Sequence, residues 1–520
     1  MIRRYLFPFG LVILVSFGGC APDFPRMNRE IEEYRPPAYL QASQDRQRAR
    51  VPSGEGDGFA EEKKALRAAE ARWEKALKTP KRGESFFTPP AHLLESLGSA
   101  ELDPSAAATA LSGRFSLETL ETLTLLRNPG VKAQENRARA AVDTYSQVMA
   151  LDDILREYTA FTEGLMTGVG PSRGKEPMKT KFPFPGVLSL KGEIAGQEIR
   201  VKMEDLEIAK RDAVTEARVA YWDFLFVRKA EKIARETIGL FRHLERVASA
   251  RYRTGRASYQ DVIKVQIQRE ILEEELDTLI EKEQNVVSKI LELLNLPPQT
   301  SIGIPKDREP LRTVPPLDLL YPLARERRQE LRRLRARVGK MERLIEMAET
   351  MILPQYTLGL SFYEDEAVNQ AGSLAVKEAF STSTVASTGY GLPVSQWYGI
   401  EDAYLRQTRQ ELEALRRKLE QEEAATSTLV REAWFRLDLA KREEALYRTS
   451  ILKLSRAALD VSTQGYEAGN VSFADVISSY VSWLNTSLAA QREMSALGTA
   501  RARLEKVVGV ELNPDQEDPR

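Results

Sequence analysis

Residues 251–262 read RYRTGRASYQDV and residues 465–476 read GYEAGNVSFADV, the same pattern 214 positions later. Each is Tyr-x-x-Gly-x-x-Ser-aromatic-x-Asp-Val, followed by Ile. Gly255 and Gly469 supply the backbone freedom a tight turn needs, and Ser258 and Ser472 are placed to cap the helix that follows. Asp261 and Asp475 fall in the first turn of that helix, where its dipole favours a carboxylate. The element therefore reverses the chain between two helices, and does so twice. Spacing alone leaves open whether these are ordinary helical hairpins or tips with a dedicated role.

Outward from each turn runs a seven-residue rhythm. Val265, Leu272, Leu279, Val286 and Leu293 follow the first turn, and Val476, Trp483, Ala490, Leu497 and Leu504 follow the second. Such seams pack helix against helix. Before the second turn, residues 399–463 contain no proline, and Leu405, Leu412 and Leu419 keep the rhythm. At about 1.5 Å per residue that helix approaches ~100 Å, and its counterpart over 203–251 reaches ~75 Å. Helices of this length exceed an ordinary globular core and imply a rod or a tube.

Each half runs short helix, longer helix, irregular stretch, very long helix, Gly turn, long helix. In the first half Ser116 is a candidate N-cap, and Asn128-Pro129 ends one helix and opens the next. In the irregular stretch of the second half, YTLGLSFY (356–363) alternates apolar and polar, and STSTVASTGYGL (381–392) suits its strand partner. The corresponding first-half region is expected to hold strands over 164–169 and 187–201, with Pro183 and Pro185 interrupting them. The domain organisation follows: 1–19 an export signal, 20–114 a tether with little core of its own, 115–300 and 316–512 two repeats, 301–315 a linker, and 513–520 a polar tail.

Composition narrows the function. The net charge is −1 over 520 residues, with 29% charged, so bulk nucleic-acid binding is not expected. His92 and His243 lie far apart and Cys20 is the only cysteine, so zinc-ligand and thiol-nucleophile patterns are both absent. No cofactor and no enzymatic chemistry is expected. GVGPSRGKE (168–176) lacks the spacing and hydroxyl residue of a phosphate loop. The basic run RERRQELRRLRARVGKMER (325–343) interleaves Glu326, Glu330 and Glu342 at helical spacing and reads as a solvated helix face. At the N-terminus a basic start, an apolar run from Leu6 to Phe17 and Gly18-Gly19 precede Cys20, the layout of an export signal.

The placement of Cys20 resembles the lipobox of bacterial lipoproteins, which implies lipidation of that cysteine. With Ala21 after it, the resemblance points to the outer membrane. The duplication, the NPGVKA segment (128–133) and above all the paired Tyr-x-x-Gly…Asp-Val elements resemble the TolC-like outer membrane efflux proteins over about 115–512. The resemblance implies a mainly α fold. Long coiled-coil hairpins in two tandem repeats would form a periplasmic α-barrel, and two short strand pairs would contribute to a trimeric transmembrane β-barrel. It further implies a homotrimer acting with a periplasmic membrane-fusion adaptor and an inner-membrane pump. The tips Tyr252, Gly255, Ser258, Asp261, Gly469 and Ser472 would dock the adaptor, and Tyr466 and Asp475 would close the periplasmic gate. Val471 and Ser478 depart from the basic and acidic residues common at those positions. The alternative is a non-spanning periplasmic coiled-coil lipoprotein that scaffolds the envelope.

Overall fold

The computed structural model describes residues 58–78, 85–144, 178–182, 187–254, 258–351, 356–362, 384–390, 398–468 and 470–512. Two units separate by contact. One comprises Met1–Phe59, Ile154–Lys191 and Leu344–Arg409, the other Ala60–Asp153, Gly192–Arg343 and Gln410–Arg520.

In the first unit the described strands form one antiparallel sheet. β2 (Met178–Phe182) pairs with β4 (Tyr356–Phe362), and β4 pairs with β5 (Thr384–Tyr390). Tyr356 stands opposite both Phe182 and Tyr390. The pairing expected between 356–363 and 381–392 is therefore present. The expectation over 164–169 lies outside the described residues.

The expectation of a strand over 187–201 is wrong, because those residues begin a helix. α6 runs from Val187 to Arg253, 67 residues, which at ~1.5 Å each is about 100 Å. The alternating reading of VLSLKGEIAGQEIRV failed because burial there recurs at helical spacing, at Gly192, Gly196 and Ile199. The helical phase is also fixed by an ion-pair ladder onto α9 (Gln329–Met351). Arg343 meets Glu193 at 2.9 Å, Lys340 meets Glu198 at 2.7 Å, and Arg333 meets Asp205 at 2.9 Å. Arg332 reaches Glu204 at 2.6 Å, and Glu330 forks onto Arg211 at 2.7 and 2.8 Å. As numbers fall on α9 they rise on α6, so the helices are antiparallel. The basic run is thus a paired seam and not the solvated face its composition suggested.

The helical unit opens with α1 (Gly58–Lys78), α2 (Ala91–Leu97), a 3-10 turn over Gly98–Glu101, and α3 (Pro104–Leu111). Residues 85–111, part of the expected tether, bury Phe86, Phe87, Leu97, Ala107 and Leu111. Phe86 and Phe87 pack on Val214 of α6, while Leu97, Ala107 and Leu111 complete a larger core shared with the repeats. That core adds Phe115, Leu120, Tyr221, Trp222, Phe224, Ile290 and Leu294. β1 (Arg114–Phe115) pairs in parallel with β3 (Ile304–Pro305), fastening the linker to the start of the first repeat.

The two repeats break their first helices with the same backbone angles. α4 (Leu117–Arg127) stops at Asn128, φ −61° and ψ 121°, and α8 (Leu317–Arg327) stops at Arg328, φ −61° and ψ 122°. The extended ψ breaks the helix for one residue, and the chain re-enters α5 (residues 129–144) and α9 directly. Ser116 accepts a bond from Thr119 N–H at 3.2 Å, which is the expected cap. α7 (Tyr259–Leu293) and α12 (Phe473–Val508) carry the heptads. Val265, Leu272, Leu279, Leu293, Val476, Leu497 and Leu504 are buried, whereas Val286, Trp483 and Ala490 are half-buried. Where α6 crosses α12, Gly498 lies under Trp222, and a Cβ there would fall 2.2 Å from the indole. Ser495 donates to the Trp222 carbonyl at 3.0 Å beside it.

The second long helix is not continuous. α10 (Tyr398–Leu446) passes through one π turn, Tyr447–Ile451, into α11 (Leu452–Glu467). Leu452 N–H bonds back to the Tyr447 carbonyl, five residues away, the mark of one inserted residue. Above it the seam is Val430, Ala433, Leu437 and Ala440. Counting by sevens from Ala440 reaches Leu454 and Val461, which are 69% and 67% exposed. The seam has moved by one residue, to Ser455, Leu459 and Ser462, and Ser462 meets Ser479 of α12 at 2.8 Å.

Candidate functional site at the hairpin tips

Both hairpins of the helical unit end in one shared apolar cluster. Phe241, Ala248, Val262 and Val265 from the first meet Phe473, Ile477 and Leu484 from the second. Phe241 and Tyr480 lie 6.2 Å apart between ring centres. These contacts set the two tips at the same level.

At each tip the repeated serine caps the outgoing helix. Ser258 Oγ accepts from Gln260 N–H at 3.2 Å, and the Asp261 carboxylate accepts from Ser258 N–H at 3.2 Å. In the second tip Ser472 Oγ accepts from Asp475 N–H at 3.2 Å, while its own hydroxyl donates to Asp475 at 2.7 Å. The first is a capping box and the second a serine cap alone, and each satisfies amides the helix start would leave open. The aspartates differ in their work: the Asp261 carboxylate takes a backbone amide, and the Asp475 carboxylate takes only the serine hydroxyl. Asp475 stays exposed, so a face of its carboxylate remains available.

Tyr466 occupies the junction of the two hairpins. Its ring packs 5.2 Å from Phe473, and the Arg251 guanidinium stands 4.2 Å above it. Arg251 belongs to α6, so this cation–π contact ties the second tip to the first. Tyr252 stacks obliquely on Tyr259 at 5.4 Å, bracketing the first turn. In the second turn the Gly465 carbonyl accepts from Asn470 and Val471 at 2.8 and 3.2 Å. A Cβ on Gly465 would sit 2.5 Å from Val471 Cγ2, so glycine is required. Val471 thereby packs the turn, and the cation at this junction comes from Arg251.

Of the residues expected from the sequence, Tyr252, Ser258, Asp261, Tyr466, Ser472 and Asp475 are brought to the two tips. Tyr466 and Asp475 make no hydrogen bond to each other among the described residues. Gly255, Gly469 and Cys20 lie outside the described residues. Arg251 was passed over because its partner is far away in sequence; an arginine beside the repeated tyrosine was the available signal. Among the described residues no cluster of three His, Cys, Asp or Glu could hold a metal. Among them, too, no helix is long and apolar enough to cross a membrane.

Residues 320–510 match the family model described as outer membrane efflux protein. Solved structures share the fold of both repeats. A membrane protein from Pseudomonas aeruginosa is 17% identical with a TM-score of 0.57, covering 77% of this chain and 95% of that one. The outer membrane protein VceC of Vibrio cholerae is 14% identical at a TM-score of 0.54, with 76% and 96% covered. The MtrE outer membrane channel of Neisseria gonorrhoeae is 14% identical at 0.52, with 77% and 91% covered. Among curated proteins none matches the sequence. The resemblance to TolC-like outer membrane efflux proteins holds, by family model over the second repeat and by fold over both.

Proposed function

We propose that this chain is the outer membrane channel of a tripartite efflux or type I secretion system. Three copies would form a passive exit duct from periplasm to exterior, with no chemistry of their own. One observation carries the reading: a duplicated hairpin whose second copy matches the efflux-protein family model lies in a fold shared with outer membrane channels. The same observation disfavours a non-spanning scaffold.

Within that reading the tips dock a periplasmic adaptor coupled to an inner-membrane pump, through Tyr252, Gly255, Ser258, Asp261, Gly469 and Ser472. Tyr466 and Asp475 close the gate, with Arg251 holding Tyr466 in place. Three exposed Asp475 carboxylates around a three-fold axis would favour cations. Cys20 carries the lipid that anchors the chain in the outer membrane. The duct is tested in planar bilayers: three-fold, cation-preferring conductance is expected, and a protein that crosslinks as a trimer yet never conducts would sink the reading. Cys20→Ser should abolish radiolabelled palmitate incorporation, and persistent labelling would remove the anchor.

A further inference from the structure

Near the tips each hairpin carries an apolar stripe that its own chain leaves open. On α7, Ile263, Ile267 and Ile271 follow one another at four-residue spacing and are 39%, 50% and 55% exposed. They stand on the side of the helix away from Val265, Leu272 and Leu279, which pack inside the chain. On α11, Leu454 and Val461 are more exposed still, with the exposed Ala457 and Ala458 between them, and they stand on the side away from Leu459. The π turn has carried the sevenfold apolar count off the inner seam and onto the surface. Apolar residues scattered singly over a surface are ordinary, but two aligned stripes on one chain mark a contact.

The two stripes match in height and in charge. Ile263 and Ile271 lie 8 and 16 residues after Gly255, and Val461 and Leu454 lie 8 and 15 residues before Gly469. At ~1.5 Å per residue both stripes begin about 12 Å from the turn and end about 22 to 24 Å from it, and the shared tip cluster holds the two turns level. Around Ile271 the α7 face carries the exposed Glu270 and Glu274, and around Leu454 α11 carries the exposed Lys453 and Arg456. α7 leaves its tip and α11 approaches its own, so the stripes would run antiparallel and set acid against base at one level. Within one chain neither covers the other, since both stay exposed. A surface whose complement lies elsewhere on the same chain makes a head-to-tail contact between copies, and such contacts can close into a ring.

We infer that Ile263, Ile267 and Ile271 of α7 in one copy pack on Leu454 and Val461 of α11 in the next, so that the π turn builds the seam between neighbouring copies near the tips. This rests on the three-copy reading above and adds to it the surface through which the hairpins meet. The apolar stripes supply the contact, and the charges at its upper end set its register more than its strength.

Cys20 is the only cysteine of the chain, so introduced cysteine pairs test the contact directly. The full chain carrying Ile263→Cys and Val461→Cys is purified in detergent, sized by light scattering and oxidised with copper phenanthroline. A covalent trimer on a non-reducing gel is expected, whereas each single variant runs as one chain. Ile271→Cys with Val461→Cys, offset by about 12 Å, should not crosslink. Adding Ile267→Glu to the first pair places a charge in the seam and should lower the yield about fivefold; Ile267 is half exposed, so unchanged helicity verifies that the variant folds. A particle of three chains that yields no covalent oligomer, links only within one chain, or crosslinks the offset pair equally well overturns the seam and leaves the three-copy reading standing. A particle of one chain removes that reading and the seam with it.

Discussion

Arg218 and Arg251 stand on one helix, about 50 Å apart along α6, and they hold the chain together in opposite ways. Arg218 is buried and spans three carboxylates: Glu121 of α4, Glu505 of α12 at 2.5 Å, and Glu511 at 2.7 Å. Burial disfavours its charge, but those carboxylates push its pKa up all the same. Phe86 and Phe87 close over it from the N-terminal segment. Arg251 is half-buried and has one aromatic ring. The first arrangement locks the N-terminal segment, both repeats and the C-terminal end into one node that cannot open by degrees. The second can be exchanged for water at little cost. Rigidity is concentrated away from the tips, where the gate reading needs movement.

Arg218→Ala is expected to have the largest effect on the fold. It leaves Glu121 without a counter-charge and Glu505 with Arg501 alone, and should cost roughly 3–5 kcal/mol, read by denaturant unfolding. A loss below about 1 kcal/mol would mean that water or Arg501 takes over the node.

The node also has a pH signature. Burial pushes Glu121 up to about 7, Arg218 opposing it only in part. The folded chain therefore holds a proton between about 4.5 and 7 that the unfolded chain has lost. This contribution to stability is present at low pH and disappears as pH rises through 7, on the order of 3 kcal/mol. Glu330 runs the other way. Burial opposes it, but hydrogen bonds and charge from Arg211 pull it down to about 2, so its contribution is lost as pH falls below 4.5. Glu121→Gln should flatten the thermal midpoint between pH 5 and 7.5; an unchanged slope would move the titration to another group.

Gly498→Val forces Trp222 from its place and should cost about 1–3 kcal/mol, detectable as a change in tryptophan fluorescence together with a lower midpoint. Ser472→Ala and Ser258→Ala each remove a cap worth about 1 kcal/mol. Arg251→Gln should change stability by less than about 1 kcal/mol while raising resting conductance in bilayers. Silent conductance would make Arg251 a packing residue only.

Much of the helical plan was legible because it is written locally. The two Tyr-x-x-Gly elements, the heptads of α7 and α12, and the break at Asn128 each need only neighbouring residues to be recognised. The ladder between α6 and α9 was not legible, since a basic run shows its charge but not its partner 140 residues away. The strand MKTKF has too little apolar alternation to stand out, and VLSLKGEIAGQEIRV imitates alternation while burying at helical spacing. At the tips the caps were legible and the Arg251–Tyr466 contact was not, because it joins two repeats. The π turn was masked by the sequence itself: Leu454 and Val461 continue the sevenfold count in apolar residues, so nothing announces that the seam has left them.

That π turn makes α10 and α11 tolerant of a change in length at one place only. Removing one residue within 447–451 returns the stretch to ordinary winding and leaves Leu459, Ser462 and Tyr466 on their partners. The same deletion higher in α10 swings the residues between it and the turn by about 100° and unseats Val430, Ala433 and Leu437. Families of such chains can therefore drift in length at the turn without disturbing either end.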